Sequence, residues 1–355
     1  MKKISDLINI AAALLASLLF IGTAAYGESV QTAHPAASYT ELSGRRKVIA
    51  CGTPFGVKML TDGVVVTDFG AVNGRLSQQS PAEAAGLRKG DIIKSVNGIG
   101  ITDSISVSAA VQEDPTCTID VLRGDEELTF TANALESDTD GQYKLGMWTK
   151  DSVAGIGTMT YYDPETAAFA GLGHGVSDTS SGVRMPLLSG EITAVTVTDV
   201  IRGSAGCPGE LCGAFISSVE IGTLTLNSDY GVFGVCSAPP ILGEPVEVAR
   251  RDEVTVGSAS VLTTTGGMTP EEYNIEIVSI DRDSTSPVRN MTIRITDSDL
   301  LARTGGIVQG MSGSPIIQNG RLVGAVTHVL VNDPSMGYAV LAENMLAEYD
   351  ANIQG

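Results

Sequence analysis

Aromatic residues make up only 5% of this 355-residue chain, and tryptophan occurs once. So few rings argue against stacking platforms for carbohydrate or single-stranded nucleic acid. Basic residues are also scarce: 22 Lys+Arg face 41 Asp+Glu, for a formal net charge of −19. Nucleic acid is a poor partner for such a chain, because phosphate binding needs clustered Lys and Arg. There are three histidines, His34, His174 and His328, and no lysine beyond Lys150. The five cysteines, at 51, 117, 207, 212 and 236, make an odd count and show no zinc-ligand spacing. Cys207 and Cys212 could pair in an oxidising compartment or stay free. No metal or cofactor is implied. What the chain has is 43% hydrophobic residues, only 18% charged ones, and 41 glycines. That composition excludes wholesale disorder, and glycine among Val, Ile and Thr points to turn-rich β structure. The length suits about two domains.

The N-terminus reads as a targeting segment. Lys2 and Lys3 precede an uncharged run, residues 7–27, about long enough to span a bilayer as a helix. Thr23-Ala24-Ala25 offers small residues for signal peptidase, so a cleaved signal and a retained anchor are both open. Residues 28–47 form a stalk rich in Ala, Ser and Thr, whose end, Arg45-Arg46-Lys47, invites proteolytic nicking.

A charge split divides the remainder. Residues 1–150 hold 13 basic and 17 acidic residues; residues 151–355 hold 9 and 24. The expected organisation is a signal or anchor over 1–27, the stalk over 28–47, a first domain over 48–135, a linker over 136–150, and a second domain over 151–355.

In the first domain, Phe55–Leu60 and Gly63–Thr67 read as strands. Ser80-Pro81-Ala82-Glu83 reads as a helix start with proline at the first turn, ending at Gly86. A strand to the Asn97-Gly98 turn, a helix over 104–112, and a hairpin about Arg123-Gly124-Asp125 follow. The string from Ser80 to Gly98 resembles a PDZ domain of the bacterial protease-associated kind. That resemblance implies a loop at Phe55, Gly56 and Val57 that captures a peptide, which then adds to the sheet edge. A PDZ domain that merely packs on its neighbour is the alternative.

The chemistry lies in the second domain. Gly310-Met311-Ser312-Gly313-Ser314-Pro315 is a tight glycine-rich turn. Such a turn exposes a nucleophilic oxygen while nearby N–H groups converge on one point, as acyl transfer requires. The motif resembles the nucleophile loop of chymotrypsin-like peptidases, with Ser312 as nucleophile and the Gly310 and Ser312 amides as oxyanion hole. A Ser–Lys dyad within this domain is excluded by the lack of lysine. Among the histidines, His174 sits in the loop Gly171-Leu172-Gly173-His174-Gly175, where an accessible imidazole is expected, whereas His328 lies mid-strand. The carboxylate that orients the imidazole is open on spacing alone among Asp178, Asp199, Asp297, Asp299 and Asp333, and Asp297 reads equally well as a helix N-cap.

Taken in order, the PDZ string, Gly171–Asp178, Ile295-Thr296-Asp297, Gly305–Gly320 and Gly324–Val329 resemble the stage IV sporulation protein B family. The resemblance implies a serine endopeptidase with a His-Asp-Ser triad on His174, Asp297 and Ser312. It also implies export into the space between the forespore membranes, self-cleavage, and cleavage of a membrane-tethered regulator that leads to late sigma-factor activation. Met311 stands where trypsin-like zymogens keep an aspartate, which removes that activation switch. The expected fold is mainly β with some α: membrane or signal segment, PDZ domain, and chymotrypsin-like β-barrel peptidase domain. The alternatives are a non-catalytic PDZ adaptor and an HtrA-like quality-control protease, although the HtrA type places its PDZ after the peptidase.

Overall fold

A computed structural model describes residues 45–74, 78–237 and 243–353. The targeting segment, most of the stalk and His34 lie outside the described residues. Among the described residues, no helix is long and apolar enough to cross a membrane.

The chain is mainly β, as expected. Six strands form a first ring: β1, Lys47–Ala50, runs just ahead of it in the chain, and the ring itself begins with β2, Pro54–Phe69. After the PDZ strands β3 (Ile92–Val96), β4 (Thr116–Arg123) and β5 (Glu126–Asn133) come β6 (Met147–Tyr162), β7 (Ala168–Gly171), β8 (Leu187–Ile201), β9 (Glu210–Ser228) and β10 (Gly231–Cys236). Antiparallel pairing runs β2–β6–β7–β10–β9–β8 and back to β2, which closes a barrel. Phe55, Val57, Met59, Met159, Phe169, Leu172, Ile192 and Val232 fill its core. A second closed barrel follows in unbroken sequence: β11 (Gly257–Thr263), β12 (Glu271–Ile280), β13 (Met291–Ile295), β14 (Pro315–Gln318), β15 (Arg321–Leu330) and β16 (Asp333–Leu341). Alternating Ile275, Ile277, Ile293 and Ile295 point into its core, the period-two pattern of strands with one buried face. The last helix, Ala342–Ile353, packs Met345, Leu346 and Tyr349 against residues of both barrels.

The PDZ unit grows out of the first barrel. Strand β2 leaves the barrel past Gly63, whose positive φ of 95° lets its backbone pass close to Ile93 O, and pairs with β3 at Val64 and Val65. Helix α1, Pro81–Ala85, starts at Ser80, whose Oγ accepts from Glu83 N at 3.2 Å, and stops at Gly86 in the left-handed region. Helix α2, Ser104–Glu113, is capped by Asp103. The buried Asp91 holds Arg88 N and the Arg123 guanidinium, which joins the loop before β3 to the end of β4. These elements match the sequence expectations closely.

The domain boundaries differ from those expectations. Strand β2 serves both units, and β6 pairs with it from Met147↔Phe69 to Thr158↔Pro54. The PDZ unit is therefore an insertion between two neighbouring strands of the first barrel rather than a domain ahead of it. The reason is length: a 16-residue strand spans about 50 Å, enough to cross both units. A peptide-binding loop at Phe55, Gly56 and Val57 is likewise corrected. All three are buried in β2, with β6 on one edge and β8 on the other, so neither edge is open to a peptide. A Cβ on Gly56 would strike the Phe215 ring and Thr193 Oγ1. The stretch after the stalk is also anchored. Arg45 bonds Glu247 and Glu253, Arg46 bonds Asp163 and Asp350, and Lys47 opens β1.

Candidate active site

The nucleophile turn lies between Val308 and β14, and its peptide groups can be followed one by one. Gln309 N donates to Gly209 O and Gln309 O accepts from Leu211 N. Met311 N donates to Val308 O, and Met311 O accepts from Ser314 N. Gly310 O accepts from Thr158 Oγ1 at 2.7 Å and Ser312 O from Thr158 N at 2.9 Å. Gly313 N donates to Val326 O, and Gly313 O accepts from Thr160 Oγ1 at 2.8 Å. Two N–H groups, of Gly310 and Ser312, take no backbone partner among the described residues. Both residues are half-buried, and two donors on one tight turn with no backbone partner are a place for an anion. Gly310 and Gly313 have φ of 94° and 95°, which glycine tolerates. At Gly313 a Cβ would also collide with Thr158 O.

Ser312 Oγ donates to Thr327 O at 2.7 Å. The next residue is His328, whose ring centroid lies 4.8 Å from that of His174, tilted by 39°. His174 thus packs on His328, the residue that follows the carbonyl holding Ser312 Oγ. His174 Nδ1 lies 2.9 Å from Gly175 O; with the proton on Nδ1 donating to that carbonyl, Nε2 carries the lone pair. Burial lowers the His174 pKa from the ordinary imidazole value, although the bond to Gly175 acts the other way. His328 is lowered as well, by burial of its ring first and then by the neighbouring His174 and Arg289, although the residue as a whole is exposed. Both imidazoles are therefore held neutral near pH 7, the state in which a histidine can accept a proton.

The accessibility expected of these two rings is reversed. His174 is only 8% exposed, whereas His328 is exposed. The glycine-rich loop is folded over the second barrel: Gly173 sits against Thr327 Cγ2 and Val326 O, and Gly175 sits against Ser228 O. Leu172, at φ 65° and buried, fills the space that Gly157 leaves by lacking a side chain. A left-handed leucine is uncommon, and this one immediately precedes the Gly173-His174 turn.

The structure does not bring Asp297 to this cluster. Its carboxylate accepts from Asp299 N and Leu300 N, which makes it the N-cap of helix α3, Ser298–Thr304, and from Asn274 N and Nδ2. Burial works against its charge, but the Leu300, Asn274 and Asp299 amides hold its pKa below the usual carboxylate range. His328 pairs with Tyr338 and Tyr338 with Thr292, five residues before Asp297. At ~3.3 Å per residue and ~4.8 Å per strand, roughly 15–20 Å of sheet separates Asp297 from His328. Asp178, four residues after His174, is buried and bound to Lys150 Nζ at 2.8 Å and to the Ser180 and Ser181 amides. Sequence reasoning missed Thr158 and Thr160, whose only signal was a pair of threonines two residues apart on a strand next to glycines. All five cysteines are free, Cys207 and Cys212 included. Among the described residues, no group of three or more His, Cys, Asp or Glu is placed to hold a metal ion.

Two six-stranded barrels with the serine turn at their junction make a β-barrel peptidase-like body, here with a PDZ unit built into the first barrel. A family model described as SpoIVB peptidase S55 matches residues 141–346, and a PDZ domain model matches residues 55–133. The chain belongs to the SpoIVB peptidase S55 family and carries a PDZ domain. A 57-residue stretch is 39% identical to "Serine protease HTRA1" of Xenopus laevis, covering 16% of this chain and 12% of that protein. The chain thus spans about an eighth of the curated relative it matches. Among solved structures, the active form of Rv3671c protease from M. tuberculosis is similar at 18% identity and a TM-score of 0.31, over 56% of this chain and 73% of that one. The HtrA-type protease AlgW with decapeptide is similar at 14% identity and a TM-score of 0.34, over 61% and 56% of the two chains. The PDZ domain of a Listeria monocytogenes SdrC-like protein shares 23% identity at a TM-score of 0.20, over 25% and 87%.

Proposed function

We propose that the chain is an exported sporulation endopeptidase that cuts itself and a membrane-tethered regulator, with Ser312 as nucleophile and His174 as general base. The observation that carries the chemistry is the pair of unspent amides, Gly310 and Ser312, on the turn that presents the Ser312 hydroxyl. In the structure that hydroxyl rests on Thr327 O. Reaction requires it to turn to His174 Nε2. Ser312 Oγ then bonds to the substrate carbonyl carbon while its proton passes to Nε2, and the two amides hold the oxyanion. The C–N bond breaks, the amine leaves with that proton, and water hydrolyses the acyl-enzyme with His174 again as base.

Asp297 enters this reading through the family resemblance, as the residue that orients the imidazole. At the atoms themselves, Gly175 O occupies His174 Nδ1. Cleavage in the stalk fits best ahead of Arg45, since Arg45 and Arg46 are tied into the folded body by four carboxylates. The forespore intermembrane location and tethering by residues 7–27 rest on the family resemblance and on the basic and apolar N-terminus. A PDZ domain fits a peptide-binding role, but a ligand of this chain would have to engage a surface other than Phe55–Val57.

The test compares wild type with Ser312→Ala in a protease-free preparation, by intact mass after incubation and by labelling with a fluorophosphonate. Wild type should fragment and gain the label at Ser312, whereas the variant should do neither. Identical fragments from both proteins would overturn the reading.

A further inference from the structure

We infer that Thr158 and Thr160 of β6 are positioning residues for the nucleophile turn, acting through their hydroxyls. The inference rests on the reading of Ser312 as nucleophile and assigns it two partners from the other barrel. Both threonines are buried, at 1% and 0% exposure. A buried hydroxyl costs stability unless it is bonded, and valine would fill the same pleat without that cost. These two hydroxyls are spent on Gly310 O and Gly313 O, the carbonyls on either side of Met311-Ser312. Thr158 adds its own amide to Ser312 O. Three of the turn's carbonyls are therefore fixed by one strand of the first barrel, while the turn itself belongs to the second.

Glycine makes this bracing necessary. Gly310 and Gly313 both sit in the left-handed region, where a glycine peptide reorients at little cost. Without the Thr158 hydroxyl, the half-buried Gly310 O loses its partner, and the Gly310–Met311 peptide gains a reason to rotate toward another donor. That rotation swings the Met311 amide off Val308 O and loosens the turn on which the neighbouring Gly310 and Ser312 amides and Ser312 Oγ are carried. A misplacement of about 1 Å at reacting atoms can cost on the order of a hundredfold in rate. Thr158 and Thr160 touch neither substrate nor reacting atoms.

The experiment is fluorophosphonate inactivation of the purified protein, resolved into a limiting rate and a half-saturating concentration, with melting temperature alongside. Thr158→Val should lower the limiting rate by roughly a hundredfold while leaving half-saturation about unchanged. Thr158→Ser, which restores the donor, should bring the rate back to within about threefold. Thr160→Val gives a second reading through Gly313, and decides the matter if Thr158→Val does not fold. An unchanged limiting rate in both valine variants would overturn the inference, because the turn would then hold itself. So would a rate and melting temperature that fall together with no recovery in Thr158→Ser. If wild type takes no label at Ser312 at all, it is the nucleophile assignment that fails, and that outcome separates the two claims.

Discussion

The two barrels have the same strand count but are laid down differently in the chain. The second runs through residues 257–341 without interruption, in strands of 4 to 10 residues. The first is opened between β2 and β6 to admit the PDZ unit, and its strands reach 16, 15 and 19 residues. The parts of the proposed site divide along the same line: Ser312 lies in the second barrel, while His174 and the two threonines bonded to the turn lie in the first. A site assembled this way depends on the first barrel closing correctly, and hence on a strand that precedes the PDZ unit.

The largest effect that sharpens this comparison should come from the histidines, one from each barrel. His174→Ala should lower the rate of fluorophosphonate labelling by about a thousandfold or more, with some fall in melting temperature because the ring is buried. His328→Ala should cost at most about tenfold. If His328→Ala proves folded and dead while His174→Ala labels normally, the base belongs to the second barrel.

Closure of the first barrel can be broken directly. Gly56→Leu places side-chain atoms in the Phe215 ring and Thr193 Oγ1. It should destabilise the protein by about 3 kcal/mol, the upper range for overpacking. Labelling and peptide cleavage should fall together as the melting temperature drops. Loss of peptide cleavage alone, with labelling and stability intact, would restore a peptide-binding role to β2.

A subtler test concerns Asp297 in the second barrel. As an N-cap, Asp297→Ala should cost about 1 kcal/mol of stability, whereas Asp297→Asn keeps the cap but sets an amide donor against Asn274 N and Nδ2, and should cost less than about 1 kcal/mol. If capping is its whole role, Asp297→Asn labels at the wild-type rate. A folded Asp297→Asn enzyme with strongly reduced labelling would place its charge in the mechanism.

The smallest effect is on pH. Because burial lowers the His174 pKa, the acid limb of labelling should lie below the ordinary imidazole value near 6.5. The linkage has a definite sign. As pH falls below that value, the unfolded chain binds a proton that the buried ring refuses, so this contribution to stability is lost toward acid. Above it both states are neutral and nothing changes. A limb above 6.5 would indicate a partner that raises the pKa.

Much of the PDZ unit was legible because its signals are local. Ser80 and Glu83, Gly86, and the hairpin about Gly124 each act within a few residues, and each forms as read. The tight glycine turn around Ser312 was legible for the same reason. What the sequence hid is non-local. Nothing near Phe55 shows that strands from residues 147 and 187 onward will flank it, so a buried strand read as a binding loop. The glycines around His174 suggested an exposed loop, but they serve close approach to Thr327 and Ser228. Asp297 carried two readings on the sequence, and the amides of Asp299 and Leu300 favour the cap. Lys150, the last lysine, found its partner in Asp178, 28 residues on, a pairing that no motif announces.

The continuous pairing of β2 with β6 has a consequence for how this chain can be cut and rejoined. Leu60 and Ser152 are register partners at the point where the ribbon leaves the barrel. The PDZ unit is therefore spliced into the tip of a β-hairpin. A short Asn-Gly turn joining those two positions would excise the unit and leave all six barrel strands in place. Dividing the chain at residue 151 instead would remove Pro54–Leu60, the stave that closes the ring, and with it the footing on which Thr158 and His174 stand.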